Sequence, residues 1–157
     1  GQLFAVFDRF DPSRLNELGT PMPLSFAVAQ HCDAAVVEQA RNRLMALGFN
    51  PVLIKDLPVL LVARTLAMLI NEAADAVSQG VCEQGAADAA MKLGVNYPKG
   101  PFEWFAEWSA DPRNCASSVA AVLDALDAYY RGERYRVSPW LRARSWGFLM
   151  SSAGGVQ

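Results

Sequence analysis

Histidine is almost missing from this chain. His31 is the only one, and with no second imidazole to share a metal it reads as a structural or surface residue. Cysteine is scarce too: Cys32, Cys82 and Cys115 are odd in number, far apart and never in CxxC spacing. That argues against a disulfide framework and against a zinc site, and the reading is reduced thiols in a cytoplasmic protein. No run of Lys or Arg is present and the net charge is −2, so a phosphate-driven nucleic-acid surface has no footprint. The one basic concentration, Arg131, Arg134, Arg136, Arg142 and Arg144, reads as a solvated terminal face. Long apolar runs are also absent. The most apolar stretch, Pro58 to Ile70, is interrupted by Arg64 and followed by Asn71 and Glu72; it is too short for a bilayer span and reads as a buried helix. The first residues, GQLFAVFDRF, lack the basic region and apolar core of a secretory leader.

What is present suits one packed domain, or one domain with a short remnant of another. The chain has 157 residues, of which 52% are apolar, enough material for a core. Its first third is rich in strand signals. Leu3–Phe7 is a compact apolar run, and Leu24–Ala29 is a second of strand length, with Asp11-Pro12 and Gly19-Thr20-Pro21 as loop punctuation between them. Asp33 is placed to cap a helix with its carboxylate. Val37, Ala40, Leu44 and Leu47 then share one helical face, and Gly48 closes that helix. Val52–Ile54 is a third short apolar run. A helix between two strands predicts a parallel βαβ unit.

From Pro58 the pattern turns helical. Pro58 suits a first turn, and Leu60–Ser78 has no internal Gly or Pro. It is apolar around most of its circumference early and amphipathic later, as expected of a central bundle helix. Gly80 stops it. Ala86–Leu93 is a second helix, stopped by Gly94. Asn96 to Pro101 forms a rigid turn, and Pro101 starts a third helix through Trp108. Asp111-Pro112 makes another turn. Ser118–Tyr130 places Val119, Val122, Leu123, Leu126 and Tyr130 on one face and ends at Gly132. Ser138-Pro139 signals a further helix start, in a tail that closes on Ser-Ser-Ala-Gly-Gly.

Three stretches carry more than a fold class. Lys55-Asp56-Leu57-Pro58 lies between the third apolar run and the long helix. Arg64 to Ala73 (RTLAMLINEA) includes Asn71 and Glu72. Asp88 to Glu103 reads DAAMKLGVNYPKGPFE and includes Met91, Gly94, Tyr97, Pro98, Gly100, Pro101 and Phe102. In physical terms, Gly94, Pro98, Gly100 and Pro101 set a sharp reversal between helices, glycine admitting positive φ and proline presetting the next helix. Asn71 and Glu72 need hydrogen-bond partners if buried. Asp88 ties its helix to a neighbour. Read this way, all of these residues are architecture. Together, over roughly Pro23 to Tyr135, the stretches resemble the C-terminal region of the 3-hydroxyacyl-CoA dehydrogenase family.

The resemblance implies a mostly α fold: a helical bundle of that family's C-terminal type over 57–157, after a small, degenerate, parallel Rossmann-like α/β remnant over 1–56. It implies an oxidoreductase that converts a 3-hydroxyacyl-CoA to the 3-oxoacyl-CoA with NAD, through a His base oriented by a Glu and assisted by Ser and Asn. Those groups do not carry over. The Asn position, just before Arg64, is Ala63; the Glu position is Ser25; no histidine stands near Ser13, where the base is expected; and the glycine after the family's proline is Val59. The glycine-rich phosphate loop is absent, so the expectation is no cofactor in this chain and NAD in the intact enzyme. Two accounts fit, a truncation or the degenerate second copy in a long two-copy dehydrogenase, and loss of Glu, His and Asn together favours the second. Gly1 stands in the middle of a fold pattern, which looks like a cut or a tag scar. GVNYPKGPFEW and RYRVSPWLR resemble the long dehydrogenases of bacterial phenylacetate breakdown, with a 3-hydroxy-dicarboxylyl-CoA substrate class. The expected partners are the acyl-CoA in the intact enzyme and a second copy or first-copy domain met through Met68 and Leu69; no nucleic acid, membrane or metal is expected. A free-standing acyl-CoA-binding module and a purely structural dimerisation domain are the alternatives.

Overall fold

The structure is a computed structural model and describes residues 5–7, 20–29, 31–109 and 116–145. Two compact units divide the chain, 1–63 and 64–157. The first contains β1 (Ala5–Phe7), β2 (Met22–Val28), α1 (Ala34–Ala46) and β3 (Phe49–Leu53), and the first turn of α2 (Leu61–Ser78) begins in it. The second holds the rest of α2, then α3 (Gln84–Val95), α4 (Pro101–Ser109), α5 (Ala116–Tyr130), a 3-10 turn at Glu133–Tyr135, and α6, described over 139–145.

In the first unit β2 is the middle strand. It pairs in parallel with β3, Leu24 opposite Pro51 and Phe26 opposite Leu53, and the Ile54 N–H continues the ladder to the Phe26 carbonyl at 2.9 Å. The parallel strand–helix–strand unit is thus β2–α1–β3. The first apolar run enters differently from a parallel reading, because β1 pairs antiparallel with β2, Phe7 opposite Phe26. Leu24, Phe26, Ala40, Leu44 and Phe49 form the core, with Met22, Val28 and Val37 packed against it. Leu47 does not join the helical face expected of it. It is the C-cap of α1, off the helical path, and 69% exposed. Gly48 follows at φ +87, the left-handed residue that closes many helices. Asp33 stands at the N-cap, yet its carboxylate makes no capping bond; it is exposed, and only its main-chain carbonyl engages the first turn, from Val36 at 2.9 Å.

The long helix starts at Leu61, and Pro58 lies outside it. The reason is Val59, whose φ of +62 is incompatible with a right-handed helix. α2 buries a single stripe, Ala67, Ile70, Asn71 and Ala74, at the spacing of one helical face, while Leu61 and Val62 remain exposed. α5 buries Val119, Leu123 and Leu126. Two expected glycine stops act otherwise. Gly94 sits inside α3, and the residue in the left-handed conformation is Asn96, at φ +56; Asn tolerates that region because its short polar side chain bonds locally. At the end of α5 the left-handed residue is Arg131, at φ +50, and Gly132 is extended at φ −159. The Ser138-Pro139 signal is realised, with Ser138 Oγ accepting from the Leu141 N–H at 3.3 Å. The Asp111-Pro112 turn and the Ser-Ser-Ala-Gly-Gly tail lie outside the described residues, as does Cys115.

Candidate functional site

The DAAMKLGVNYPKGPFE stretch becomes α3, a turn and the start of α4, and its polar residues meet at the α4 N-terminus. A helix start leaves backbone N–H groups without partners, and the residue in the capping position, Gly100, has no side chain to offer. Asp88 supplies the oxygen from α3, accepting from the Phe102 N–H at 2.8 Å. Glu103 reaches back from the first turn and accepts from the Gly100 N–H at 2.9 Å, the half of a capping box made by the third residue. Its other oxygen accepts from Lys92 Nζ at 2.5 Å. The Lys92 hydrogen bond, then the Gly100 N–H, hold the Glu103 carboxyl below its ordinary range.

Gly100 is required here for space. Its φ is not positive, contrary to the sequence expectation, but a Cβ there would overlap Asp88 Cβ, Cγ and Oδ1. Pro101 and Phe102 are buried behind this cap, and the Phe102 ring meets Trp140 edge-on with centroids 5.3 Å apart. Tyr97 lies against Trp104 at 5.6 Å, the Met91 carbonyl accepts from the Asn96 N–H, and Pro98 is exposed.

In α2, Asn71 is 4% exposed and bonded through both amide atoms. Its Nδ2 donates to the Arg136 carbonyl at 2.9 Å, and its Oδ1 accepts from the Ser138 N–H at 2.8 Å. Glu72, the next residue, is exposed. Met68 and Leu69 are half-buried. Arg64 donates to the hydroxyls of Tyr130, at 3.1 Å, and of Tyr135. Its guanidinium carbon lies 4.8 Å and 5.1 Å from the centroids of those two rings. Sequence spacing does not suggest this cluster, whose members stand 66 and 71 residues apart. The terminal arginines are largely engaged. Arg142 forms a two-point pair with Asp124 at 2.6 and 2.9 Å, which lowers the Asp124 carboxyl and raises Arg142. Arg136 reaches Asp75 at 3.4 Å, and Arg144 lies over Trp140. Arg136 and Arg142 also edge an open groove of about 440 Å³, lined with them by Asp124, Asp127, Glu133 and Tyr135.

Ala63 is a methyl group in the first turn of α2, and Ser25 is a strand residue opposite Val52. Beyond the C-terminal ends of β2 and β3, where parallel sheets receive ligands, lies a hollow of about 460 Å³ lined by Val28, Cys32, Ile54, Lys55, Asp56 and Leu57. It does not fit a dinucleotide. The β2–α1 connection, Ala29 to Asp33, has no glycine, so no backbone cradle can close on a pyrophosphate, and the helix start it leads to carries the carboxylate of Asp33. Among the described residues no group of three His, Cys, Asp or Glu could hold a metal ion, and no helix is long and apolar enough to cross a membrane.

The fold and this motif-bearing corner define the class. A family profile described as 3-hydroxyacyl-CoA dehydrogenase, C-terminal domain, matches residues 61–147, and the chain belongs to the 3-hydroxyacyl-CoA dehydrogenase family. It is 39% identical over 121 residues to a 3-hydroxyadipyl-CoA dehydrogenase of Escherichia coli K12, covering 76% of this chain and 24% of that protein. It is 39% identical over 100 residues to a 3-hydroxybutyryl-CoA dehydrogenase of Bradyrhizobium diazoefficiens, covering 63% of this chain and 33% of that one. Among solved structures, a 3-hydroxybutyryl-CoA dehydrogenase from Escherichia coli K12 superposes with a TM-score of 0.76 at 32% identity, over 95% of this chain and 28% of that one. The chain therefore spans a quarter to a third of the length of these relatives.

Proposed function

We propose that this chain is a non-catalytic portion of a longer 3-hydroxyacyl-CoA dehydrogenase, serving subunit pairing and shaping the wall of the acyl-CoA cleft. The observation that carries this reading is an intact scaffold beside blank chemistry. The Asp88–Phe102 and Glu103–Gly100 caps are formed, whereas Ala63 and Ser25 stand where the family resemblance expects Asn and Glu. A methyl group donates no hydrogen bond, and a serine hydroxyl does not replace a carboxylate in orienting a base. In the intact protein the activity is oxidation of the 3-hydroxyl of an acyl-CoA to the ketone, with NAD held by residues outside this chain and the protein in the cytoplasm. The likeness to a 3-hydroxyadipyl-CoA dehydrogenase supports a dicarboxylic acyl chain as the substrate class.

Pairing is supported by apolar surface left uncovered. α3 buries none of its residues, and Leu93 is 87% and Val95 55% exposed; contiguous exposed apolar surface marks interfaces. Half-buried Met68 and Leu69 are our candidates for the contact, with a second copy or a first-copy domain as the partner. The pure chain is expected to produce no NADH from a 3-hydroxyacyl-CoA and NAD, and Ala63→Asn alone to restore none, because catalytic residues act as a unit. Turnover by the pure chain would overturn the non-catalytic reading. Sedimentation should show self-association that Met68→Asp or Leu69→Asp weakens while circular dichroism stays unchanged. A monomer throughout the micromolar range would refute pairing with itself.

A further inference from the structure

Arg64 is a cation in an unfavourable place. It is the fourth residue of α2, near the positive end of the helix macrodipole, and the first turn of α2 contains no acidic residue. No ion pair joins it to a carboxylate of the described residues; its partners are the hydroxyls and rings of Tyr130 and Tyr135. A guanidinium has no acceptor, so both hydroxyls accept from it, and each keeps its own O–H proton to donate. No acceptor for either proton is found among the described residues. For Tyr135 that matters most, because it is 3% exposed and a buried donor without an acceptor is costly. Tyr130 is 40% exposed, which leaves the cluster reachable from solvent. The two rings lie 5.4 Å apart at 36°, and Tyr129 meets Tyr130 at 4.9 Å, so the aromatic walls are held in place.

We propose that Arg64, Tyr130 and Tyr135 form a seat for one oxyanion, a carboxylate or phosphate group on a small molecule. The group accepts the two tyrosyl O–H protons and faces the guanidinium, which supplies the charge. One ligand thus answers both the unpaired cation and the unused donors. Charge-assisted bonds of this kind are stronger than neutral ones and well suited to oxyanions. This seat lies wholly within the 64–157 unit and does not depend on the dehydrogenase reading.

The test is a ¹H–¹⁵N titration of the isotope-labelled full chain with sodium adipate, and separately with inorganic phosphate, at constant ionic strength set with sodium chloride. Saturable binding in the millimolar range is expected, with shifts centred on Arg64, Tyr130 and Tyr135. Saturation by adipate alone identifies a carboxylate seat, by phosphate alone a phosphate seat, and by both a general oxyanion seat. Tyr130→Phe keeps the ring and removes one donor, and should weaken binding about tenfold. Arg64→Lys should weaken it further, since an ammonium cannot reproduce the fork. Should Arg64→Lys disturb the fold by circular dichroism, Tyr130→Phe decides. Failure of both anions to saturate, shifts scattered elsewhere, or unchanged affinity in Tyr130→Phe would overturn the proposal.

Discussion

Replacing Gly100 by Ala tests whether the α3–α4 corner is built on close approach. The added methyl would overlap Asp88 at Cβ, Cγ and Oδ1. Rotating the carboxylate away clears two of those atoms and leaves the third, because Cβ is fixed to the α3 backbone. The helices must therefore part. Overpacking of this kind costs about 1–3 kcal/mol. The displaced carboxylate also gives up the 2.8 Å bond from Phe102 N–H, and loss of a helix N-terminal cap costs about 1–2 kcal/mol more. The sum is about 2–5 kcal/mol, or a midpoint drop of roughly 5–15 °C for a chain of this size. Urea unfolding followed by far-ultraviolet circular dichroism measures it. Background matters: Asp88→Ala keeps Cβ and should leave much of the Gly100→Ala penalty, whereas Asp88→Gly should nearly abolish it. A penalty under about 0.5 kcal/mol, or one of equal size in the Asp88→Gly background, would refute the close-approach account.

Three further outcomes are expected. Asn71→Ala should destabilise by about 2–4 kcal/mol, because it strands a buried Ser138 N–H and the Arg136 carbonyl; a loss near zero in chemical denaturation would contradict the clamp. Val59→Gly should stabilise by about 0–2 kcal/mol, left-handed strain of about 1–3 kcal/mol being partly offset by the freer unfolded chain; thermal melts that show a clear loss would oppose the strained φ. Acid should weaken the fold through Glu103 and Asp124: both carboxyls titrate lower when folded, so their stabilisation is present above the ordinary carboxylate range and fades as pH falls through their depressed values. In Glu103→Gln that acid-side slope should be shallower, and an identical pH profile would count against the Lys92 pairing.

Element type and order were legible because periodicity survives in a single sequence. Val119, Leu123 and Leu126 declare the buried face of α5 directly, and the apolar runs of β2 and β3 bracket an amphipathic helix. Boundaries were less legible where tertiary contacts override local chemistry. Gly94 and Gly132 are plausible stops, yet Asn96 and Arg131 adopt the left-handed conformation, since packing of the turn decides which residue must. Pro58 is compatible with a first helical turn, but Val59 beside it points the chain out of the helix. The role of Gly100 was hidden, because the atom that excludes a side chain belongs to Asp88 on another helix. The Arg64 cluster was invisible for the same reason, its tyrosines being distant in sequence and joined only by the return of the chain. The antiparallel entry of β1 follows from pairing, which a short apolar run does not encode.

The Asn71 clamp has a consequence for the order in which the molecule is built. Its partners lie 65 and 67 residues downstream, so α2 cannot satisfy its one buried amide until α3, α4 and α5 have been traversed. Contacts between distant residues form late because the loop entropy must be overcome first. α3 and α4, joined by an eleven-residue Lys92–Glu103 link and a fourteen-residue Asp88–Phe102 link, can close on each other much earlier. Docking of the 136–138 segment onto α2 is thus a late step of the bundle. During synthesis from the N-terminus, the Asn71 amide stays bound to water until that segment emerges to replace it.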